Sequence, residues 1–306
     1  MARLARDTVR VQVPATSANL GPGFDSLGLA LDIVDDIDVR ATTGATRVTV
    51  TGNGAAGLPE GEEHLVVRAI RAALDHVGAP QAGLELRCHN RIPHGRGLGS
   101  SAAAVVGGLV AARGLVSEPE ALDDATVLAL ATEFEGHPDN AAPAILGGAT
   151  VAWTETAGPR AARIPVGRHV QPTVLVPPAE LLTGTARAVL PRSVTHEDAA
   201  FNAGRSALLV LALGGRPELL LPATEDRLHQ RQRAIVMEET LKVVDTLREL
   251  GLPAVVSGAG PSVLVLTRVD DPQLSAFTRH GWQVHTPAVA EQGARVLAGE
   301  ASPPGV

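Results

Sequence analysis

The sequence predicts an α+β protein of two domains, and three observations lead there. Its 306 residues are roughly twice the ~150 of a typical domain. Hydrophobic residues make up 45 % of the chain, enough for a continuous core and too many for a disordered polymer. Segments of two-residue period are mixed with segments of helical period without strict strand–helix alternation, which favours α+β over a doubly wound sheet.

In chain order, residues 8–13 alternate, with Val9, Val11 and Val13 on one face of a strand. Residues 47–51, 84–88 and 148–153 read as further strands. Residues 65–77 have helical spacing that stops before Gly78, and residues 122–134 form a second helix with Asp123 and Asp124 as caps. The stretch 158–168, rich in Pro, Gly and Arg, is the expected boundary between domains 1–160 and 161–306. Helical patterns follow at 199–213 and 232–250. Residues 254–266 are two short β runs around a glycine-rich break. Asp271-Pro272 open a last helix that Gly281 closes, and 299–306 reads as a frayed tail. There is no internal repeat.

Composition excludes several functions. The 26 basic and 33 acidic residues give a net charge of −7 with no long run of one sign, and 2 % aromatics leave little to stack on bases, so no nucleic-acid partner is expected. Cys88 is the only cysteine, which rules out an internal disulfide or a cysteine-rich metal site. The longest apolar stretch, 101–116, contains Arg113 and is too short for a membrane span. Arg3, Arg6 and Asp7 lead into no apolar signal core, so a cytoplasmic protein is expected. Lys242 is the only lysine and sits in a helical stretch. Neither a Walker A loop nor a protein-kinase strand lysine is available, and a pyridoxal Schiff base on Lys242 has no supporting motif. A nucleotide would have to be held by backbone N–H groups, a helix dipole and arginine.

The segment Pro93, His94, Gly95, Arg96, Gly97, Leu98, Gly99, Ser100, Ser101, Ala102, Ala103 follows a strand and runs into an Ala-rich helix. Its glycines let an anion approach the backbone, and its serines sit where helix N–H groups are free and the dipole is positive. This is a phosphate cradle without lysine; by composition alone it is also a glycine turn ahead of a tightly packed helix. Residues 14–25 are a strand exit rich in turn formers, where Asn19 and Asp25 either meet a small polar ligand or bond their own backbone. Residues 257–262, with Gly258 and Gly260, connect the two β runs. Glu133 and Glu135 precede Gly136-His137-Pro138-Asp139-Asn140. Carboxylates and hydroxyls are hard ligands suited to Mg²⁺, whereas one His and one Asp without a third ligand do not make a transition-metal site. Cys88 and His89 point to opposite faces of a strand and make no pair. A guanidinium fork matches a carboxylate, but any one of the 25 arginines is more often a surface residue and the sequence alone selects none of them.

Residues 93–104, 14–25 and 257–262 resemble, in order and spacing, the three motifs of the GHMP kinase family, in the form that its homoserine kinases carry. The likeness extends through 137–143, 183–191 and 226–233, and so spans residues from about 10 to 267. It implies an N-terminal domain like ribosomal protein S5 domain 2 and a C-terminal ferredoxin-like α/β sandwich. It implies transfer of the ATP γ-phosphoryl group to the hydroxyl of L-homoserine, giving O-phospho-L-homoserine for threonine biosynthesis. ATP would lie on residues 93–103. Mg²⁺ would lie on Ser101 and Glu133, with Glu135 as the rival. Homoserine would meet Asn19, Asp25, His137, Asn140, Thr183, Arg187, Arg233, Gly258 and Gly260. In that scheme Asp25 takes the ammonium, Arg187 and Arg233 take the carboxylate, and Arg231 competes with Arg233. Asn140, Ser101 and Glu133 stand nearest the reaction. An amide is no general base near neutral pH, so Asn140 is expected to orient the hydroxyl and no strong base is expected, with Asp139 the alternative. Relatives suggest a homodimer. Two other readings stay open: a sister GHMP kinase acting on mevalonate, shikimate or a sugar, and a non-catalytic binding protein on the same fold.

Overall fold

The computed structural model describes residues 2–278 and 280–297. Strand β1 (Thr8–Ala18) continues the alternation of Val9, Val11 and Val13 and pairs antiparallel with β2 (Leu27–Thr42). The sequence reading contained no β2. A register shift at Pro14/Ala15 interrupts the pairing, residues 27–31 are buried without alternation, and Asp32, Asp35, Asp36 and Asp38 break the apolar pattern. Then come β3 (Arg47–Gly52), α1 (Leu65–His76), β4 (Gly83–Asn90), α2 (Ser100–Leu115), α3 (Asp124–Glu135), α4 (Ala141–Leu146), β5 (Ala149–Glu155) and β6 (Gly158–Ile164). The second half holds β7 (Thr173–Val176), α5 (Thr183–Ala188), α6 (His196–Gly215), α7 (Leu220–Ala223), α8 (Glu238–Glu249), β8 (Ala254–Val256), β9 (Val263–Val265), α9 (Asp271–Thr278), β10 (Gln283–His285) and β11 (Arg295–Val296).

Two sheets organise these elements. The first runs β11-β1-β2-β4-β3, with β5 on the other half of β2 and β6 beyond it; only β3 and β4 are parallel. The second is antiparallel, in the order β10-β7-β9-β8. Helix α2 packs between α1 and β1, buried almost all round, and its Ala and Gly residues permit that close approach. A smaller core of Leu175, Leu241, Val244, Leu247, Val256, Val263 and Trp282 joins α8 to the second sheet. Among the described residues no helix is long and apolar enough to cross a membrane.

Two expectations change in detail. Residues 158–164 are not linker: they are β6, paired along its length with β5, so residue 160 falls inside a strand. Pro159 is tolerated there because β6 is an edge strand. The chain leaves the first sheet after Ile164 and returns to it at β11. The expected helix 232–250 is a 3₁₀ turn (Arg231–Val236) and then α8, separated at Met237, where φ is −153°. That break turns Arg233 into the interior. The proposed tail 299–306 lies outside the described residues. Asp123 does cap α3, accepting from the Thr126 N–H at 2.8 Å.

Asp35 anchors the exit from β4. It is 6 % exposed, and its Oδ1 accepts from the backbone N–H groups of Arg91 (2.6 Å) and Ile92 (2.9 Å). Burial, only partly offset by these bonds and the Arg91 charge and reinforced by Asp36, pushes this carboxyl up to about 6. The folded protein therefore keeps a proton that the unfolded chain has lost between roughly pH 4 and the folded value of about 6. Stability falls as pH rises through that window, and the ionised group costs up to about 3 kcal/mol above it. Asp35→Asn keeps an acceptor oxygen for both amides. Urea unfolding should find the variant more stable than wild type at pH 7, with the slope below pH 6 flattened; lower stability at pH 7 would sink this account.

Candidate active site

The loop between β4 and α2, the 135–140 turn, the start of α5 and the loop between β8 and β9 enclose a cleft of about 210 Å³. Gly97 and Gly99 have φ of +70° and +68°. A Cβ on Gly97 would lie 2.2 Å from the Ser257 carbonyl oxygen, and one on Gly99 would lie 1.9 Å from Thr16 Oγ1. Only glycine fits both the space and the left-handed backbone at these positions. Gly99 caps α2 with no side-chain bond, so the first N–H groups of the helix stay available to an anion.

Of the expected phosphate segment, Gly95, Arg96, Gly97, Gly99, Ser100 and Ser101 line the cleft. Pro93, Leu98, Ala102 and Ala103 are buried beneath it and hold the loop by packing. His94 is turned away, with Nε2 3.1 Å from Asn90 Nδ2. The carboxylate beside Ser101 is Glu135, not Glu133. Ser101 Oγ donates to Glu135 Oε1 at 2.6 Å, and Glu135 lines the cleft, whereas Glu133 is exposed on α3. Two residues along a helix are about 200° around it, so the two cannot share a face. Burial raises the Glu135 carboxyl, with the Ser101 hydrogen bond partly opposing.

Asn140 sits between the cradle and the turn. Its Oδ1 accepts from Thr16 Oγ1 at 2.9 Å and its Nδ2 donates to Asp139 Oδ1 at 3.3 Å. Asp139, 1 % exposed, also lies 2.6 Å from His137 Nδ1. Burial alone would lower the His137 pKa; the hydrogen bond and charge of Asp139 outweigh it and raise it.

On the other side, Asn19 (φ +71°) donates from Nδ2 to the Gly258 carbonyl at 2.8 Å and accepts from the Asp25 N–H at 2.9 Å. Asp25 forms a two-pronged pair with Arg187 at 2.5 and 3.1 Å. Arg233 is 1 % exposed and donates to the Ala186 carbonyl at 3.1 Å and the Gly258 carbonyl at 3.2 Å. Its Nη1 also meets His229 Nδ1 at 3.0 Å, and His229 Nε2 donates to the Gly21 carbonyl at 2.7 Å. Burial, with the nearby Arg187 charge, lowers the Arg233 guanidinium to about 10, still protonated at neutral pH. Arg231 points outward and pairs with Asp245. Thr183, Gly258 and Ala259 line the cleft, while Gly260 only turns the loop, at φ +88°.

Sequence reasoning missed Phe24. Its ring lies 5.5 Å from the Arg187 guanidinium and 5.7 Å from that of Arg233, and it stacks on His229 at 5.0 Å. Its place between Gly23 and Asp25 was the available signal. Thr16 and His229 were missed because their roles arise from contacts distant in sequence.

The family model for the GHMP kinases N terminal domain matches residues 64–148, and that for the GHMP kinases C terminal matches 208–281. The chain is 54 % identical over 291 residues to the homoserine kinase of Streptomyces coelicolor, covering 94 % of each protein. The chain belongs to the GHMP kinases. Another relative of this GHMP kinase is the homoserine kinase of Clavibacter michiganensis subsp. michiganensis, 57 % identical over 260 residues, which cover 84 % of this chain and 82 % of that one. Among solved structures, the homoserine kinase of Cytophaga hutchinsonii superposes with a TM-score of 0.82 at 26 % identity, covering 96 % of this chain and 98 % of that one. Mevalonate diphosphate decarboxylase from Staphylococcus aureus shares the fold, with a TM-score of 0.64 at 14 % identity over 97 % of this chain and 99 % of that one. A GHMP kinase uses ATP, which accords with a cradle built of glycine, serine and a helix N-terminus.

Proposed function

We propose that this GHMP kinase transfers the γ-phosphoryl group of ATP to the side-chain hydroxyl of L-homoserine. The observation that carries the reading is the charge pattern at the cleft: Arg187 and the buried Arg233 line it together with the glycine cradle, and Asp25 pairs with Arg187 at its edge. Two cations and one anion complement a zwitterion with an α-carboxylate and an α-ammonium group. Asp25 and Arg187 satisfy each other here, and an amino acid offers each a partner of the same charge it already holds. The names of the relatives support the same substrate.

Ser101 and Glu135 fit a Mg²⁺ ion. They are hard oxygen donors 2.6 Å apart, one at the start of α2 and the other at the end of α3, and a half-buried carboxylate gains from a cation. Mg²⁺ takes one or two such ligands and keeps waters and phosphate oxygens. When bound it supplies charge neutralisation at the β- and γ-phosphates. The chain does the rest by positioning. The cradle and the α2 dipole hold the phosphates, and Asn140, fixed by Thr16 and Asp139, orients the acceptor hydroxyl. Asp139 already accepts from His137 and Asn140 and is 1 % exposed, so it is poorly placed to take a proton; a loose phosphoryl transfer does not require a strong base. A cytoplasmic homodimer is the further expectation that the resemblance carries.

The test is ADP release from Mg-ATP with a panel of acceptors: L-homoserine, its methyl ester, its N-acetyl derivative, mevalonate, shikimate and galactose. Turnover with free homoserine alone is expected, because each derivative removes one charge of the zwitterion. Turnover with mevalonate, shikimate or galactose and none with homoserine would refute the reading.

A further inference from the structure

Arg96 lies in the cradle, where a guanidinium is naturally taken for a phosphate ligand. Its hydrogen bonds go elsewhere. Nε donates to the Pro177 carbonyl at 3.1 Å, Nη2 to the Pro178 carbonyl at 2.9 Å, and Nη1 both to the His94 carbonyl at 2.8 Å and to Glu180 Oε1 at 3.1 Å. Four of its five N–H groups are engaged, so no two remain side by side to fork a phosphate. The His94 bond stays within the phosphate loop and the other three reach residues 177–180; the backbone adds a fourth link of that kind, from the Leu181 N–H to the Gly95 carbonyl at 2.9 Å.

These bonds join two parts of the chain with different tasks. Residues 94–96 belong to the phosphate loop that opens α2, whereas residues 177–182 connect β7, in the second sheet, to α5. Thr183 begins α5 and Arg187 lies one turn further on, both on the cleft. Pro177 and Pro178 have no N–H to donate, and Arg96 supplies donors to their carbonyls. We propose that Arg96 is a positioning residue: a strap that fixes the segment carrying Thr183 and Arg187 to the phosphate loop, so that acceptor and nucleotide sites are held in register. The acceptor half of this inference rests on the homoserine reading above.

Lysine keeps the charge of Arg96 but cannot reach two proline carbonyls and the His94 carbonyl at once. Arg96→Lys should therefore raise KM for both homoserine and ATP, each by about three- to thirtyfold on the scale of one or two lost hydrogen bonds, with a smaller change in kcat and the thermal midpoint near wild type. A rise in KM for ATP alone, strengthening with salt, would make Arg96 a direct phosphate ligand and overturn the strap; so would wild-type values for both substrates. A second measurement needs neither the variant nor homoserine. In wild-type protein, amide hydrogen exchange at residues 179–182 should slow when a non-hydrolysable ATP analogue binds alone. No protection there would overturn the proposal. If instead wild-type protein fails to turn over homoserine but shows that protection, the substrate assignment falls and the strap stands.

Discussion

Glu135→Gln should lower kcat at saturating ATP by about a hundredfold or more, the scale of losing one electrostatic element aimed at the transition state. Glu133→Gln should remain close to wild type. The difference follows from placement: Glu135 meets Ser101 in the cleft and Glu133 faces solvent. Glutamine keeps the shape and an acceptor oxygen for Ser101 but removes the charge that a divalent cation needs. Steady-state rates across a Mg²⁺ titration, with thermal unfolding as a fold control, make the comparison. The Glu135 variant should need more Mg²⁺ and still fall short at saturation. The assignment is lost if Glu133→Gln is the more damaging of the two.

This pair of glutamates also marks how far the sequence could be read. The cradle was legible because its chemistry is local: glycines, serines and a helix start are contiguous, and a phosphate needs little else. The first strand, α1 and the β8–β9 loop were legible because period and punctuation agree there. The choice between Glu133 and Glu135 depends on how α3 is rotated against α2, which packing decides and periodicity does not. Strand β2 was hidden by a register shift and four aspartates, two of which, Asp35 and Asp36, bond groups on other strands or on the loop after β4. The β6 edge strand was hidden by the same proline and glycine that suggested a linker. Phe24, Thr16 and His229 act across separations of more than a hundred residues, except where they touch their own loops, and no local pattern announces that.

The arginines are the second large effect. Arg233→Lys should raise KM for homoserine the most, by about ten- to a hundredfold, the scale of a charge-assisted hydrogen bond out of bulk water. Its Nε and Nη1 are held by Ala186, His229 and Gly258, which leaves Nη2 for the carboxylate, and lysine cannot fill those bonds and donate to the substrate as well. Arg187→Lys should raise KM less, because the Asp25–Arg187 pair is about one-third exposed on both sides and solvent screens it. Arg231→Lys should leave KM near wild type: that side chain is 61 % exposed and pairs with Asp245, away from the cleft. In all three variants KM for ATP should change little, which separates the clamp from the Arg96 strap, where both constants move. If Arg231→Lys alone raises KM for homoserine, the orientation of the 3₁₀ turn that carries both arginines is reversed in the working enzyme. If none of the three does, the carboxylate is held elsewhere, and the charge pattern that carries the substrate assignment loses its support.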